Sequence, residues 1–260
     1  MTNGYKNLSK DELYLISRAE YERQQLITTE FAQKLFPNKN KAARVLVFLT
    51  QKGRLIRIEK GKYILVPIKA PNQQWMPNEF IVASLWMGNA SYYIGYFTMY
   101  NYWGFTDQVP RMIFILNTDK SSKKQINGIC YEAVKIKKEK YYGIQKIKVE
   151  GQDIFISNKE RTLVDFAYNP LGSMRNFEIA LQDNIDDIDI KKFIKYLIKF
   201  PVASVRKRVG FLLEQLGCPR ESLEPILRTI GEKRVLTLFD PYKKSRRGKI
   251  NKDWKIIVNR

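Results

Sequence analysis

The stretch "FPNKNKAARVLVFLTQKGRLIRIEKGKYIL", residues 36–65, decides the fold of the first part of this chain. It holds eight Lys or Arg residues and one acidic residue, Glu59. In its first half, apolar residues recur at the i, i+3, i+4, i+7 spacing of one helix face, at Ala42, Val45, Leu46 and Leu49. We therefore predict a helix over 39–52, ended by Gly53, whose apolar stripe is buried and whose opposite face is left outward.

Two β-prone runs follow this helix, "RLIRIE" and "KYILV", and they are joined at Lys60-Gly61. Such runs around a glycine-containing turn are typical of a β-hairpin. Upstream, residues 10–24 and 28–36 predict two further helices, the second capped by Thr28. Three helices followed by a basic hairpin predict a winged helix-turn-helix over residues 1–70.

The rest of the chain predicts a second, larger domain. The segment "PIKAPNQQWMPN" carries three prolines, and we interpret residues 71–78 as a linker. Residues 79–260 combine helical and strand patterns, which predicts a mixed α/β domain with a basic, helical C-terminal region. In that domain Ser157 and Glu160 have the S-x-x-E spacing of a capping box. The predicted fold class is therefore α+β.

Positive charge is concentrated at the two ends of the chain, whose net charge is +20. Residues 1–70 hold 14 basic and 6 acidic residues, residues 71–190 hold 13 and 14, and residues 191–260 hold 19 and 6. A uniformly lysine-rich composition would raise all three parts. Basic ends around a neutral middle favour localised anion-binding surfaces, for nucleic acid first and an anionic membrane second.

The candidate DNA-binding residues follow from this distribution. A recognition helix presents polar and basic side chains from its N-terminal half, and the hairpin places cations near phosphates. Those positions are Lys39, Asn40, Lys41 and Arg44 on the helix and Arg57, Lys60 and Lys62 on the hairpin. The alternative is a solvated amphipathic helix in a domain used for protein contacts.

A second nucleic-acid surface is predicted in the basic C-terminal region. Its candidate residues bind flanking phosphates of DNA, or RNA, and are Arg206, Lys207, Arg208, Lys243, Lys244, Arg246 and Arg247. The alternative for the run "KKSRRGK" is a solvated loop.

The sequence offers little support for catalysis or for metal binding. The chain has no histidine, and its two cysteines, Cys130 and Cys218, lie far apart and are predicted to be reduced and buried. Histidine-based catalysis and zinc sites with N and S ligands are thereby excluded.

The acidic run 183–190 lacks the glycine and spacing of a calcium loop, so Asp187 or Asp189 is predicted to begin the next helix. A carboxylate-dependent nuclease would need an Asp…Glu-x-Lys spacing, which this sequence lacks. We expect no enzyme activity, no cofactor and no metal.

Two further features concern environment and packing. No stretch is long and apolar enough to span a bilayer, and the N-terminus lacks the apolar core of a signal peptide, so we expect a cytoplasmic protein without a membrane partner. The aromatic run "SYYIGYFTMYNYWGF", residues 91–105, is suited to stacking single-stranded bases or to core packing. Core packing is favoured, because Leu- and Ile-rich segments surround it.

Five segments together resemble the AbiE-type (AbiEi-like) antitoxins of type IV toxin–antitoxin systems, over about residues 10–260 and in the family's order. They are "KAARVLVFLTQKGRLIRIEKGKYILVP", "YYIGYFTMYNYWGFTDQVPRMIFI", "FISNKERTLVDF", "VRKRVGFLLEQLG" and "LFDPYKKSRRGKINKDWKIIVN". The segment "YFTMYNYWG" departs from the family, because aromatic residues replace a helix of small residues.

The resemblance implies a winged helix followed by an antitoxin domain. It implies a protein that binds inverted repeats in its own promoter, represses its operon and neutralises a cognate nucleotidyltransferase-type toxin, without a stable complex, in abortive infection and phage defence. The alternative is a winged-helix transcriptional regulator with a ligand-sensing C-terminal domain and no toxin partner.

Overall fold

The computed structural model describes residues 7–70, 75, 77–230, 235–243 and 245–259. Helices and strands are mixed along these residues, which confirms the predicted α+β class. The chain divides into two compact units, Met1–Gly88 with Lys124–Cys130, and Asn89–Lys123 with Tyr131–Arg260. The division after Gly88 differs from the predicted linker at 71–78, of which residues 71–74 and 76 lie outside the described residues.

The first unit contains the three predicted helices and the predicted hairpin. In chain order its elements are α1 (Lys10–Tyr21), β1 (Leu26–Thr28), α2 (Thr29–Leu35), α3 (Lys39–Gln51), β2 (Leu55–Glu59), β3 (Lys62–Leu65) and α4 (Glu79–Met87). The helix α4 lies in this unit, although its residues fall within the predicted second domain, 79–260. The short strand β1 was not predicted.

Local side-chain bonds fix where these helices begin. Ser9 and Glu12 form a capping box at α1, in which each side chain accepts from the other's backbone N–H, at 3.3 and 2.6 Å. Thr28 caps α2, as predicted, and accepts from the Phe31 N–H at 3.1 Å. Asn38 caps α3 by accepting from the Lys41 N–H at 2.7 Å. The α3 helix ends just before Gly53, which adopts a φ of 71°.

A three-stranded antiparallel sheet in the order β1-β3-β2 completes the first unit. The turn between β2 and β3 is Lys60-Gly61, as predicted, and Gly61 has the positive φ of 79° that favours glycine. The Thr29 N–H donates to the Gly61 carbonyl at 2.9 Å. The tip of the hairpin is therefore bonded to the first residue of α2.

The predicted apolar stripe of α3 forms part of the core of this unit. Ala42, Val45, Leu46 and Leu49 are all buried, which confirms the stripe. They pack in one cluster with residues of α1, the sheet and α2, including Leu15, Ile16, Ile27, Ala32 and Leu55. Because this stripe fixes the rotation of α3 about its axis, it also fixes which side chains point outward.

The elements that follow α4 show the mixture of helices and strands that the sequence predicts for residues 79–260. They are β4 (Tyr92–Ile94), α5 (Tyr96–Tyr102), β5 (Met112–Asn117), β6 (Ser122–Ile126), β7 (Ile129–Lys135), β8 (Ile144–Val149), β9 (Gln152–Ser157), α6 (Lys159–Tyr168), α7 (Met174–Asp183), α8 (Ile190–Lys199), α9 (Ala203–Gln215), α10 (Arg220–Thr229), β10 (Thr237–Leu238), β11 (Lys249–Asn251) and β12 (Ile256–Val258).

The larger sheet has the order β6-β7-β5-β4-β9-β8. The strand β4 pairs antiparallel with β5 and parallel with β9, where Ile94 faces Ile156. A smaller sheet has the order β10-β12-β11. A cluster of buried side chains, most of them from α6 to α10, forms the main core of the second unit. Phe166, Phe177, Phe193 and Leu212 belong to it, together with Trp254 from the connection between β11 and β12.

The aromatic run 91–105 packs into the second unit, which confirms the core interpretation. Tyr92, Tyr93, Tyr100 and Phe105 are buried, and the Tyr100 ring stacks on Phe166 with centroids 4.3 Å apart. Two other predictions were wrong. Asn158 rather than Ser157 caps α6, and Cys130 and Cys218 are half-buried rather than buried, although both are free. Among the described residues, no helix is sufficiently long and apolar to cross a membrane.

A buried ion pair lies within α6. The Arg161 guanidinium meets the Asp165 carboxylate at 2.7 Å, and each side chain is only 1% exposed. Arg161 Nη2 also donates to the Tyr93 hydroxyl and the Lys140 carbonyl, both at 3.1 Å. Burial raises the pKa of Asp165 to about 6, although the Arg161 charge acts to lower it. The contact with a guanidinium that keeps its charge favours the ionised carboxylate, so the pair is ionic.

Candidate nucleic-acid interface

The outward face of α3 lies opposite its buried stripe and is exposed. Asn40, Ala43, Arg44, Val47 and Gln51 form this face. Within the described part of the chain, neither Asn40 nor Arg44 has a side-chain hydrogen bond or an ion pair. Their amide and guanidinium groups are therefore available to an incoming ligand. Lys39, at the first turn of α3, is exposed in the same way.

The predicted DNA contact Lys41 already has partners in its own unit. Its ammonium group pairs with Asp11 of α1 at 2.9 Å and lies 5.7 Å from the centroid of the Phe36 ring. Both members of the ion pair remain about four-tenths exposed, at 40% and 44%. A phosphate would therefore compete with Asp11 for Lys41, so this lysine is less available to a ligand than its position in the sequence suggests.

A groove runs beside α3, between its exposed flank and the start of α1. Its volume is about 500 Å³. The residues that line it are Ser9, Asp11, Glu12, Asn38, Asn40, Lys41, Arg44, Val45 and Phe48. Arg44 therefore borders both this groove and the outward face of α3. The groove is polar at the α1 side, where Asp11 and Glu12 lie.

The Glu12–Lys52 contact holds the far end of α3 against the start of α1. Lys52 Nζ donates to both carboxylate oxygens of Glu12, at 2.8 and 2.7 Å, and to the Asn7 carbonyl at 2.8 Å. Burial acts to raise the pKa of Glu12, but the bonds from Lys52 and Ser9 outweigh it, and the pKa is lowered. Because α3 is fastened at this end, its outward face keeps a fixed orientation in the unit.

The hairpin presents two of its three predicted cations without an ion-pair partner among the described residues. Arg57 and Lys60 are exposed. Lys62 is half-buried and pairs with Glu59 at 2.7 Å. The exposed positive charge of the hairpin is therefore concentrated at Arg57 and at the turn, where Lys60 precedes Gly61.

The second predicted nucleic-acid surface is only partly exposed. The prediction is wrong for Arg206, Lys207 and Arg208. Arg206 is half-buried, and its guanidinium donates to the carbonyls of Phe200 and Thr229. Lys207 and Arg208 are 4% and 8% exposed, and they donate to the carbonyls of Val235 and Leu238 at 2.6 and 3.0 Å. These three cations satisfy backbone carbonyl groups inside the second unit, so they are not presented to a polyanion.

The four remaining members of that predicted surface belong to the segment 243–247. Lys243, Arg246 and Arg247 are exposed, whereas Lys244 lies outside the described residues. The structure adds an exposed lysine face that we had not predicted, formed by Lys191, Lys195 and Lys199 of α8. The spacing K-x-x-x-K-x-x-x-K in "KKFIKYLIK" was the available signal, because residues four apart share one helix face.

The acidic run 183–190 has a structural role at its end. Asp189 caps α8 by accepting from the Lys192 N–H at 3.0 Å, which confirms one of the two predicted positions. Asp187 forms an ion pair with Lys159 at 3.3 Å. Over the described ranges, no group of three or more Cys, Asp or Glu side chains is arranged to hold a metal ion.

The chain matches no protein-family model and no curated protein sequence. Its fold is similar to that of the Rv2827c protein from Mycobacterium tuberculosis, with a TM-score of 0.69 and 16% sequence identity. The similarity covers 98% of this chain and 94% of that chain. At this level of identity the likeness concerns the fold alone.

Proposed function

We propose that the first unit is a winged helix-turn-helix that binds double-stranded DNA. The elements from α1 to β3 have the order and sheet pairing that this proposal requires, with α3 as the recognition helix and the β2–β3 hairpin as the wing. The observation that carries the proposal is the exposure of Asn40 and Arg44 on the outward face of α3 and of Arg57 and Lys60 on the hairpin of the same unit.

The chemistry of these side chains suits the two parts of a DNA contact. Arginine donates in a bidentate manner to guanine O6 and N7, and asparagine pairs with the adenine edge, so Arg44 and Asn40 supply base recognition in the major groove. Arg57 and Lys60 supply phosphate contacts, which position the protein without carrying sequence information. The exposed cations of the second unit, on α8 and at Lys243, Arg246 and Arg247, add long-range attraction for DNA.

We further propose that the DNA is the protein's own promoter and that the protein is the antitoxin of a type IV toxin–antitoxin system. In this role it represses its operon and antagonises a nucleotidyltransferase-type toxin encoded beside it. The resemblance of five segments to AbiE-type antitoxins supports this proposal. An adjacent nucleotidyltransferase reading frame would support it further.

Arg44→Ala is expected to weaken binding to the upstream DNA by about 1–3 kcal/mol and to relax its base specificity, because a bidentate base contact is lost. Lys60→Ala should weaken binding to every duplex and reduce the slope of log K against log salt by about one unit, because one phosphate contact is lost. Gel shifts and fluorescence anisotropy at several salt concentrations measure both effects. Lys69→Ala, an exposed lysine outside α3 and the wing, is the matched control. Unchanged affinity in both test variants, with folding intact, would refute the interface.

Repression and toxin antagonism should separate in the variant Arg44→Ala/Lys60→Ala. Because these side chains lie on the proposed DNA surface, the variant should lose repression of a promoter reporter yet restore growth of cells that express the adjacent toxin. Growth assays with the antitoxin supplied from another promoter test this. If the wild-type protein binds the promoter but never restores growth, the antitoxin role is wrong, and the regulator with a ligand-sensing domain becomes the better interpretation.

A further inference from the structure

Val47 lies at the centre of the outward face of α3 and is 49% exposed. It is one of two apolar side chains on this face, and it follows Asn40 and Arg44 at the i, i+4, i+7 spacing of one helix row. The buried stripe of α3 points the other way, so Val47 has no part in the core cluster of its unit. Because removing apolar surface from water is favourable, covering Val47 with another apolar group would lower the free energy.

Val47 is also stiff. A β-branched side chain in a helix keeps one strongly preferred χ1 rotamer, so its two methyl groups hold a fixed direction. By contrast, Lys41 is engaged by Asp11, and the Thr50 hydroxyl donates to the Leu46 carbonyl at 2.7 Å. The row Asn40–Arg44–Val47 therefore offers two hydrogen-bonding groups and one rigid apolar group to the surface that α3 meets.

In the major groove, one base presents an apolar group, since thymine carries the C5-methyl. We propose that Val47 contacts the methyl group of a thymine in the operator and so determines sequence specificity at that base pair. This inference rests on the proposed binding of DNA by α3. It adds a third recognition residue, one that works by exclusion of water rather than by hydrogen bonding.

The position of this thymine follows from helix geometry. Three residues along an α-helix advance by about 4.5 Å, and successive base pairs are about 3.4 Å apart. The thymine is thus expected one or two base pairs from the guanine that Arg44 contacts. Phe48, which is 44% exposed, is not the candidate, because it lies about 100° around the helix from Val47, at the flank that lines the groove towards α1.

The test replaces thymine by uracil, which lacks the methyl group, at each position of the upstream duplex in turn. For wild-type protein, one such replacement per half-site is expected to weaken binding about fourfold, the equivalent of burying one methyl group. Val47→Ala should weaken binding to the natural duplex by a similar or larger factor. It should also make the variant indifferent to that same replacement. Anisotropy titrations of both proteins on both duplexes form a double-mutant cycle.

The controls separate this inference from the proposed function. Val109→Ala removes a valine of the second unit that is 77% exposed, and it should keep the wild-type response to uracil. Arg44→Ala should bind more weakly yet still respond to uracil, which supports separate roles. If wild-type and Val47→Ala proteins lose affinity equally at every thymine, the inference is wrong while DNA binding stands. If the wild-type protein does not bind the upstream duplex at all, the proposed function falls and the inference falls with it.

Discussion

Asp165→Ala is expected to lower the free energy of unfolding by about 3–5 kcal/mol, the largest effect we predict for a single substitution. Its partner Arg161 is 1% exposed and keeps its charge, because a guanidinium does not deprotonate at accessible pH. Removing the carboxylate leaves that charge buried without a counter-ion. Urea unfolding followed by circular dichroism measures the loss. Asp186→Ala, at an exposed position, is the matched control and should change stability by less than about 0.5 kcal/mol.

A double variant tests the cause of this loss. Arg161→Met/Asp165→Ala removes both charges, so it should be more stable than Asp165→Ala alone, although it also loses the bonds of Arg161 to Tyr93 and Lys140. A double variant that is less stable than the single one would show that Arg161 matters for its packing and hydrogen bonds more than for its charge balance. The explanation by an unpaired buried charge would then be wrong.

Gly210→Ala is expected to destabilise the second unit by about 1–3 kcal/mol, which reverses the usual sign for this substitution. Alanine normally stabilises a helix interior relative to glycine, by about 0.5–1 kcal/mol. Gly210 lies in α9 against the fully buried ring of Trp254, and a methyl group there would overlap the ring. Trp254 has little room to move, because its indole N–H donates to Glu214 at 2.8 Å.

The same substitution in a Trp254→Phe background identifies the clash. The smaller ring leaves space for the added methyl group, so Gly210→Ala should cost clearly less there than in the wild type. Thermal unfolding of the four proteins gives the comparison. Equal costs in the two backgrounds would place the strain elsewhere in α9.

The parts of the fold that the sequence predicted well depend on local patterns. The stripe of α3, the caps of α2 and α8, and the turn at Lys60-Gly61 involve residues within a few positions of one another, where helix periodicity and turn chemistry act directly. The strand β1 escaped prediction because it has three residues and exists only through pairing with β3, more than thirty positions further along the chain.

For the candidate sites, the sequence does not show which charged side chains are exposed and which are bonded inside the protein. Exposed and buried cations look alike in a sequence, so Arg206, Lys207 and Arg208 were assigned to a surface although they donate to internal carbonyls. The pairing of Lys41 with Asp11 joins residues thirty positions apart. The four-residue spacing of Arg161 and Asp165 suggests a contact, but no local pattern shows that both are buried.

The short strand β1 also has a kinetic consequence. Through its pairing with β3, and through the Thr29 N–H bonded to the Gly61 carbonyl at 2.9 Å, the hairpin tip is held before any partner arrives. If the hairpin binds DNA as we propose, recognition requires no coupled folding step, and little conformational entropy is lost at the hairpin when the complex forms. The rate of association would be set by collision, orientation and ionic strength, whereas differences between target sequences would appear in the lifetime of the complex.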